Sequence, residues 1–200
     1  MTLPRSVVGV LLAAGTASRF GDGQKLLAEL DGEPLVHHAA RTLLDANVDG
    51  IVAVLGDRRE RVAAALPEGV ETVHNPDYAE GQATTVARGV RAAADRGADA
   101  AVIALGDMPC VDAGTVAALV DAFRGTGSDI VVPTAEGRRG NPVLFGAAHF
   151  DTLQSVSGDR GGRALFDSYP VERVAVADPG IHLDVDTEDD MQALAERCPE

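Results

Sequence analysis

Short, continuously apolar runs rich in β-branched residues recur along the chain, each separated from the next by enough residues for a helix. Val7 to Leu12, Ile51 to Leu55, Val70 to His74, Ala101 to Leu105 and Ile130 to Pro133 have the length and composition of strands. A strand apolar at every position has no face to show to water, so both faces of its sheet must be covered. Between the runs, Pro34 to Ala46, Arg59 to Leu66, Gln82 to Ala94 and Ala113 to Phe123 carry apolar residues at helical spacing, and Pro34 stands at a helix-entry position. Alternation of this kind predicts an α/β fold: a three-layer, doubly wound, mostly parallel sheet. The second half changes character, with short extended runs at Val143 to Phe145, Val171 to Val176 and Leu183 to Val185. A closing helix follows over Thr187 to Arg197, with Glu188, Asp189 and Asp190 in its first turn as the helix dipole favours.

No linker or composition shift divides the 200 residues, so residues 1–200 are expected to form one domain. Thirty-one acidic against 17 basic residues leave a formal charge of −14, which argues against nonspecific attachment to nucleic acid. No apolar run approaches the roughly 18 residues of a membrane helix, and no signal-peptide pattern is present. Cys110 and Cys198 are too few for a disulfide framework and have no metal-ligand spacing. They are expected to be ordinary thiols in a cytoplasmic protein.

In such sheets, ligands bind beyond the carboxyl ends of the strands, so the loops there carry the chemistry. After the first run comes Leu12-Ala13-Ala14-Gly15, then Arg19, Gly21 and Lys25, the only lysine in the chain. This fits neither the dinucleotide glycine fingerprint nor the P-loop. Small Ala13, Ala14 and Gly15 nevertheless let the backbone approach a base and a triphosphate closely, and Arg19 and Lys25 can neutralise phosphate charge. A compact ammonium suits phosphate oxygens, so a nucleoside triphosphate is the expected ligand.

Asp107 follows the strand Ala101 to Leu105 and can hold Mg²⁺, which binds through one or two carboxylates while bridging phosphates. Asn75, Gly81, Gln82, Thr84 and Thr85 gather at a helix start, where amides and hydroxyls can bond a base edge or a ribose. Arg138, Arg139, Arg160 and Arg163 concentrate positive charge in glycine-containing loops, suited to a phosphate-bearing acceptor. His37 and His38 have no spaced partner that would make a metal site.

Four further segments accompany the first loop in order: Leu105-Gly106-Asp107-Met108-Pro109, Gly140-Asn141-Pro142-Val143-Leu144-Phe145, Gly158-Asp159-Arg160-Gly161-Gly162-Arg163 and Asp184-Val185-Asp186-Thr187-Glu188-Asp189. Together they resemble the nucleotidyltransferases that attach a nucleotide to molybdopterin, within the larger set that includes the sugar-phosphate enzymes. The resemblance implies a Rossmann-like fold of the nucleotide-diphospho-sugar transferase kind. It also implies nucleotide contacts from Leu12, Ala13, Ala14, Gly15, Lys25, Asn75, Gly81, Gln82, Thr84 and Asp107, with Arg19, Lys25 and Asp107 catalytic.

Mg²⁺ is implied on Asp107 and Asp186. Asp184 is the alternative second ligand, and Asp186 or Thr187 competes for the role of capping the last helix. Arg139, Asn141, Arg160 and Arg163 fall on the acceptor side, with molybdopterin cofactor as acceptor and a molybdoenzyme downstream. Ala14-Gly15, where guanylyl-transferring members show Gly-Gly, favours CTP over GTP. Gln82, Thr84 and Thr85 depart from the Gly-Met-Ser-x-Ser common in the family. Open alternatives are GTP as donor, a sugar-phosphate acceptor, and a non-catalytic nucleotide-binding accessory of molybdoenzyme maturation.

Overall fold

The computed structural model describes residues 5–15, 24–155 and 161–198. Seven strands form its main path: β1 (Val7–Ala13), β4 (Gly50–Leu55), β5 (Glu71–His74), β6 (Ala100–Leu105), β7 (Ile130–Ala135), β9 (Val143–Gly146) and β10 (Glu172–Ala175). They lie in the order β10-β7-β9-β6-β1-β4-β5, and the two-residue β8 (Arg138–Arg139) pairs with β7. All neighbours are parallel except β8 and β9, which run antiparallel to theirs. The five apolar runs of the first half are thus strands within a residue or two.

Period-two alternation sends each apolar strand to both faces. Along β1, Val7, Leu11 and Ala13 join one core cluster, while Val8, Val10 and Leu12 join the other. The first cluster is closed by α1 (Leu35–Asp45), α2 (Arg59–Ala64) and α4 (Ala113–Thr126), the second by α3 (Gln82–Asp95) and α5 (Phe150–Ser155). Helix α1 shows why: Leu35, Val36, Ala39, Ala40 and Leu43 are buried along one stripe. Pro34 sits one residue before the helix, as its N-cap, and pairs with Glu29 in a small hairpin of β2 (Glu29–Leu30) and β3 (Glu33–Pro34) that no sequence pattern announced.

Two expectations are corrected. Leu183 to Val185 is not a strand. It follows a 3-10 turn, Pro179–His182, and lies against a loop, so it has no ladder to join. Cys110 and Cys198 are not separate thiols but a disulfide, with Cα atoms 5.2 Å apart. The closing helix α6 (Glu188–Arg197) folds back over the turn after β6 and brings Cys198 to Cys110, beside Leu30, Leu35 and Val185.

Strand β1 leads outward to β4 and β5, and the chain then returns to place β6 on its other side. The switch in strand order therefore falls between β1 and β6, where Leu12 pairs with Leu105 at their carboxyl ends.

Candidate active site

Beyond that switch point the loop after β1 and the turn after β6 meet. The Gly106 amide donates to the Leu12 carbonyl at 3.0 Å, which fixes the Asp107 turn to the end of β1. Lys25 opens a 3-10 turn, Lys25–Leu27, whose Leu26 is buried in the core. Its ammonium donates to Asp107 Oδ2 at 2.7 Å and to Asp186 Oδ1 at 2.9 Å. The Lys25 side chain is only 14% exposed. Burial acts to lower its pKa, but the charge and hydrogen bond of Asp107, joined by those of Asp186, outweigh it and hold the group above the ordinary lysine value.

The chain that delivers Asp186 is anchored at several points. Asp178, 5% exposed, accepts from the Asp112 amide at 2.9 Å and the Thr115 hydroxyl at 2.7 Å. The Ile181 carbonyl accepts from the Asn141 amide, and the Val185 amide donates to the Asp107 carbonyl, both at 3.0 Å. Thr187, not Asp186, caps α6: its hydroxyl accepts from the Asp190 amide while the Asp190 carboxylate accepts from the Thr187 amide. The Asp186 carboxylate is thereby left free to face Lys25. Asp184 instead lines the neighbouring cleft.

A cleft of about 290 Å³ opens beside Lys25, walled by Leu12, Ala14, Gly15, Gln24, Tyr78, Gly81, Gln82, Thr85 and Asp107 among others. Gly81, at φ 120° and ψ 171°, holds a backbone conformation that suits glycine just before α3. Asn75 and Thr84 are not on this wall. The Asn75 amide donates to Thr84 and Thr85 and accepts from the Asp77 amide, so its polar atoms are spent joining the turn after β5 to α3. Ala13 is buried in the core and can contribute only main chain.

A second cleft, about 530 Å³, lies across Leu105 and is lined by Arg138, Arg139, Asn141, Phe166, His182 and Asp184. The Arg139 guanidinium stands 4.7 Å from the Phe166 ring centroid. An apolar hollow with Leu12, Gln82, Phe145 and Phe166 joins the two. Arg19 and Arg160 lie outside the described residues, and of Arg163 only the main chain is described.

Reasoning from sequence missed Gln24, Tyr78, Phe166 and Asp178. Gln24 is 5% exposed and its amide donates to the carbonyls of Gly15 and Asp57 at 3.4 and 3.5 Å. Its place directly before the sole lysine was the available signal; Tyr78, Phe166 and Asp178 carried none.

Among the described residues no group of three or more His, Cys, Asp and Glu side chains could hold a metal. The Asp107 and Asp186 pair nevertheless fits a hard divalent cation, because its oxygens already converge on one small cation, the Lys25 ammonium. Mg²⁺ and its kin take one or two carboxylates and fill the remaining positions with water and phosphate oxygens.

The chain is 34% identical over 197 residues to the nicotine blue oxidoreductase of Paenarthrobacter nicotinovorans, covering 94% of this chain and 96% of that protein. It is 30% identical over 197 residues to the purine catabolism protein PucB of Bacillus subtilis, covering 90% and 92%. Among solved structures, Rv0371c of Mycobacterium tuberculosis superposes with a TM-score of 0.82 at 30% identity, over 96% of this chain and 99% of that one. The same protein has been solved in complex with manganese, TM-score 0.78. A family model described as the MobA-like NTP transferase domain matches residues 9–174, and with a cleft at the switch point and Lys25 between two carboxylates, the chain belongs to that family of nucleotidyltransferases.

Proposed function

We propose that this nucleotidyltransferase moves a nucleoside monophosphate, CMP by preference, from its triphosphate to the phosphate of molybdopterin cofactor and releases pyrophosphate. The observation that carries this is the convergence of Lys25 with Asp107 and Asp186 between two joined clefts, one walled by the Leu12 to Gly15 segment and the other by Arg138 and Arg139. Ala14 places a Cβ where the Gly-Gly of guanylyl-transferring members has none, and the reduced room favours the smaller cytosine. An acceptor phosphate held by Arg139 and Asn141 approaches from the second cleft.

Its oxygen attacks the α-phosphorus in line. A new P–O bond forms, the bond to the β-bridging oxygen breaks, and that oxygen leaves with its electron pair on pyrophosphate. Lys25 binds the phosphates and stabilises charge on the leaving group, with Arg19 assigned the same task by sequence. Amides around Gly15 orient the triphosphate, and Gln82 and the amides at the start of α3 orient the nucleoside. Asp107 and Asp186 would hold Mg²⁺, which would supply charge neutralisation at the phosphate oxygens. Asn75 and Thr84 act by holding the start of α3 in place, and Arg160 and Arg163 complete the acceptor side. Residues 1–200 work as one domain, and among the described residues no helix is long and apolar enough to cross a membrane. A molybdoenzyme receives the product.

The test is pyrophosphate release with Mg²⁺ and CTP, GTP, ATP or UTP, with and without molybdopterin cofactor. Release with CTP that requires the cofactor is the expected result. A GTP preference overturns the base assignment alone, and release only with a sugar phosphate overturns the acceptor. Triphosphate binding without release with any acceptor would favour a nucleotide-binding accessory. Reduction or oxidation of nicotine blue, with no pyrophosphate release, would favour a redox activity of the kind that names the Paenarthrobacter relative.

A further inference from the structure

We propose that Lys25 is an internal stand-in for the divalent cation: in the free protein its ammonium holds Asp107 and Asp186 together, and it yields their oxygens to a metal only when a triphosphate is there to receive it. This rests on the nucleotidyl-transfer reading of the same site and assigns that reading an order of binding.

Three features carry it. One nitrogen reaches both carboxylates, at 2.7 and 2.9 Å, so the site that fits a metal is already filled by a charge the chain itself supplies. The two carboxylates are set against each other by bonds that do not involve Lys25. The Val185 amide donates to the Asp107 carbonyl at 3.0 Å, and the Asp186 amide donates to Asp190 Oδ2 at 3.0 Å. Without the ammonium, two like charges would face one another on a fixed frame, which is a good receptor for a free cation. The third feature is the residue type. Lys25 stands on the wall of the nucleotide cleft, and its flexible four-carbon stem lets a compact charge turn from carboxylate to phosphate, whereas arginine serves at every other non-histidine basic position.

A cation entering alone must expel an ammonium that then has no partner. Entering with a triphosphate, it leaves Lys25 a better anion. The affinities of metal and nucleotide should therefore be coupled, each raising the other by one factor.

Binding of Mn²⁺, followed by its electron paramagnetic resonance signal, tests this without turnover. The parent should bind Mn²⁺ weakly alone and about tenfold or more tightly with CTP. Lys25→Met should bind Mn²⁺ alone about tenfold more tightly than the parent and gain little further from CTP. Lys25→Gln serves if Lys25→Met does not fold, and Arg139→Gln removes an equal charge that does not touch either carboxylate. If a folded Lys25 variant binds free Mn²⁺ no better than the parent while CTP still tightens the parent, the stand-in role is wrong and nucleotidyl transfer survives. If Arg139→Gln tightens binding as much as Lys25→Met, general charge explains the effect and the stand-in role is again wrong. If no triphosphate tightens Mn²⁺ on the parent, both readings fail together.

Discussion

The main-chain amide of Val185 donates to the carbonyl of Asp107 at 3.0 Å, and this bond lays the residue before Asp186 against the turn that carries Asp107. The Gly106 bond to Leu12 sets Asp107, and the Val185 bond brings Asp186 to the same ammonium. Asp178 and Ile181 hold the approach to that crossing, and the Thr187 cap holds its exit. The site is thus assembled by main-chain contacts between a central turn and a segment near the other end of the chain.

Replacing Asp107 by Asn keeps the shape of the side chain and removes its charge. Metal-dependent pyrophosphate release should fall by about 10² or more. Turnover within a few-fold of the parent would overturn its assignment as a ligand.

Gly56 follows β4, and a Cβ there would lie 2.6 Å from the Ala14 carbonyl oxygen and 2.7 Å from Tyr78. Gly56→Ala should cost about 1–3 kcal/mol in urea unfolding. Because both neighbours wall the cleft beside Lys25, proposed to take the nucleotide, it should also raise the KM for the triphosphate. An unchanged KM would mean that these walls do not touch the nucleotide.

Thr187→Ala should destabilise the protein by about 1 kcal/mol through loss of the α6 cap. The Thr187 hydroxyl, followed by the Asp186 and Thr187 amides, holds the Asp190 carboxyl below its ordinary 3.8. A depressed pKa contributes stability that is present above the unfolded value and lost as pH falls through the folded one. The difference in thermal midpoint between parent and Asp190→Asn should therefore shrink below pH 3.8. A difference that stays constant into strong acid would count against the capping box.

The Cys110–Cys198 disulfide joins residues 88 apart in sequence, so it restrains much of the unfolded chain. Reduction, or Cys198→Ser, should lower stability by about 2–4 kcal/mol. Equal urea midpoints with and without reductant would show that the bond is not formed in solution.

Much of this was legible in the chain. The strands of the first half are unbroken apolar runs because both faces of the sheet are covered, and that pattern persists whatever the neighbours are. Lys25 and Asp107 could be picked out because loops after parallel strands are where ligands bind. The hairpin of β2 and β3 escaped notice because two-residue strands have no periodicity. Leu183 to Val185 was misjudged because an apolar extended stretch reads alike whether it joins a ladder or crosses a loop. Asn75 and Thr84 have the chemistry of ligand contacts, and only their mutual bonding shows that it is spent inside the fold.

The sequence by itself determined the doubly wound layers and the acidic first turn of α6, since each depends on residues near one another in the chain. Tertiary structure decided that Thr187 rather than Asp186 caps α6, that Asp184 faces the second cleft, and that Cys110 and Cys198 are joined. It also decided that one ammonium bridges two carboxylates. Those outcomes depend on where distant segments cross, and crossing is set by the sum of many weak packing and main-chain contacts that no local pattern records.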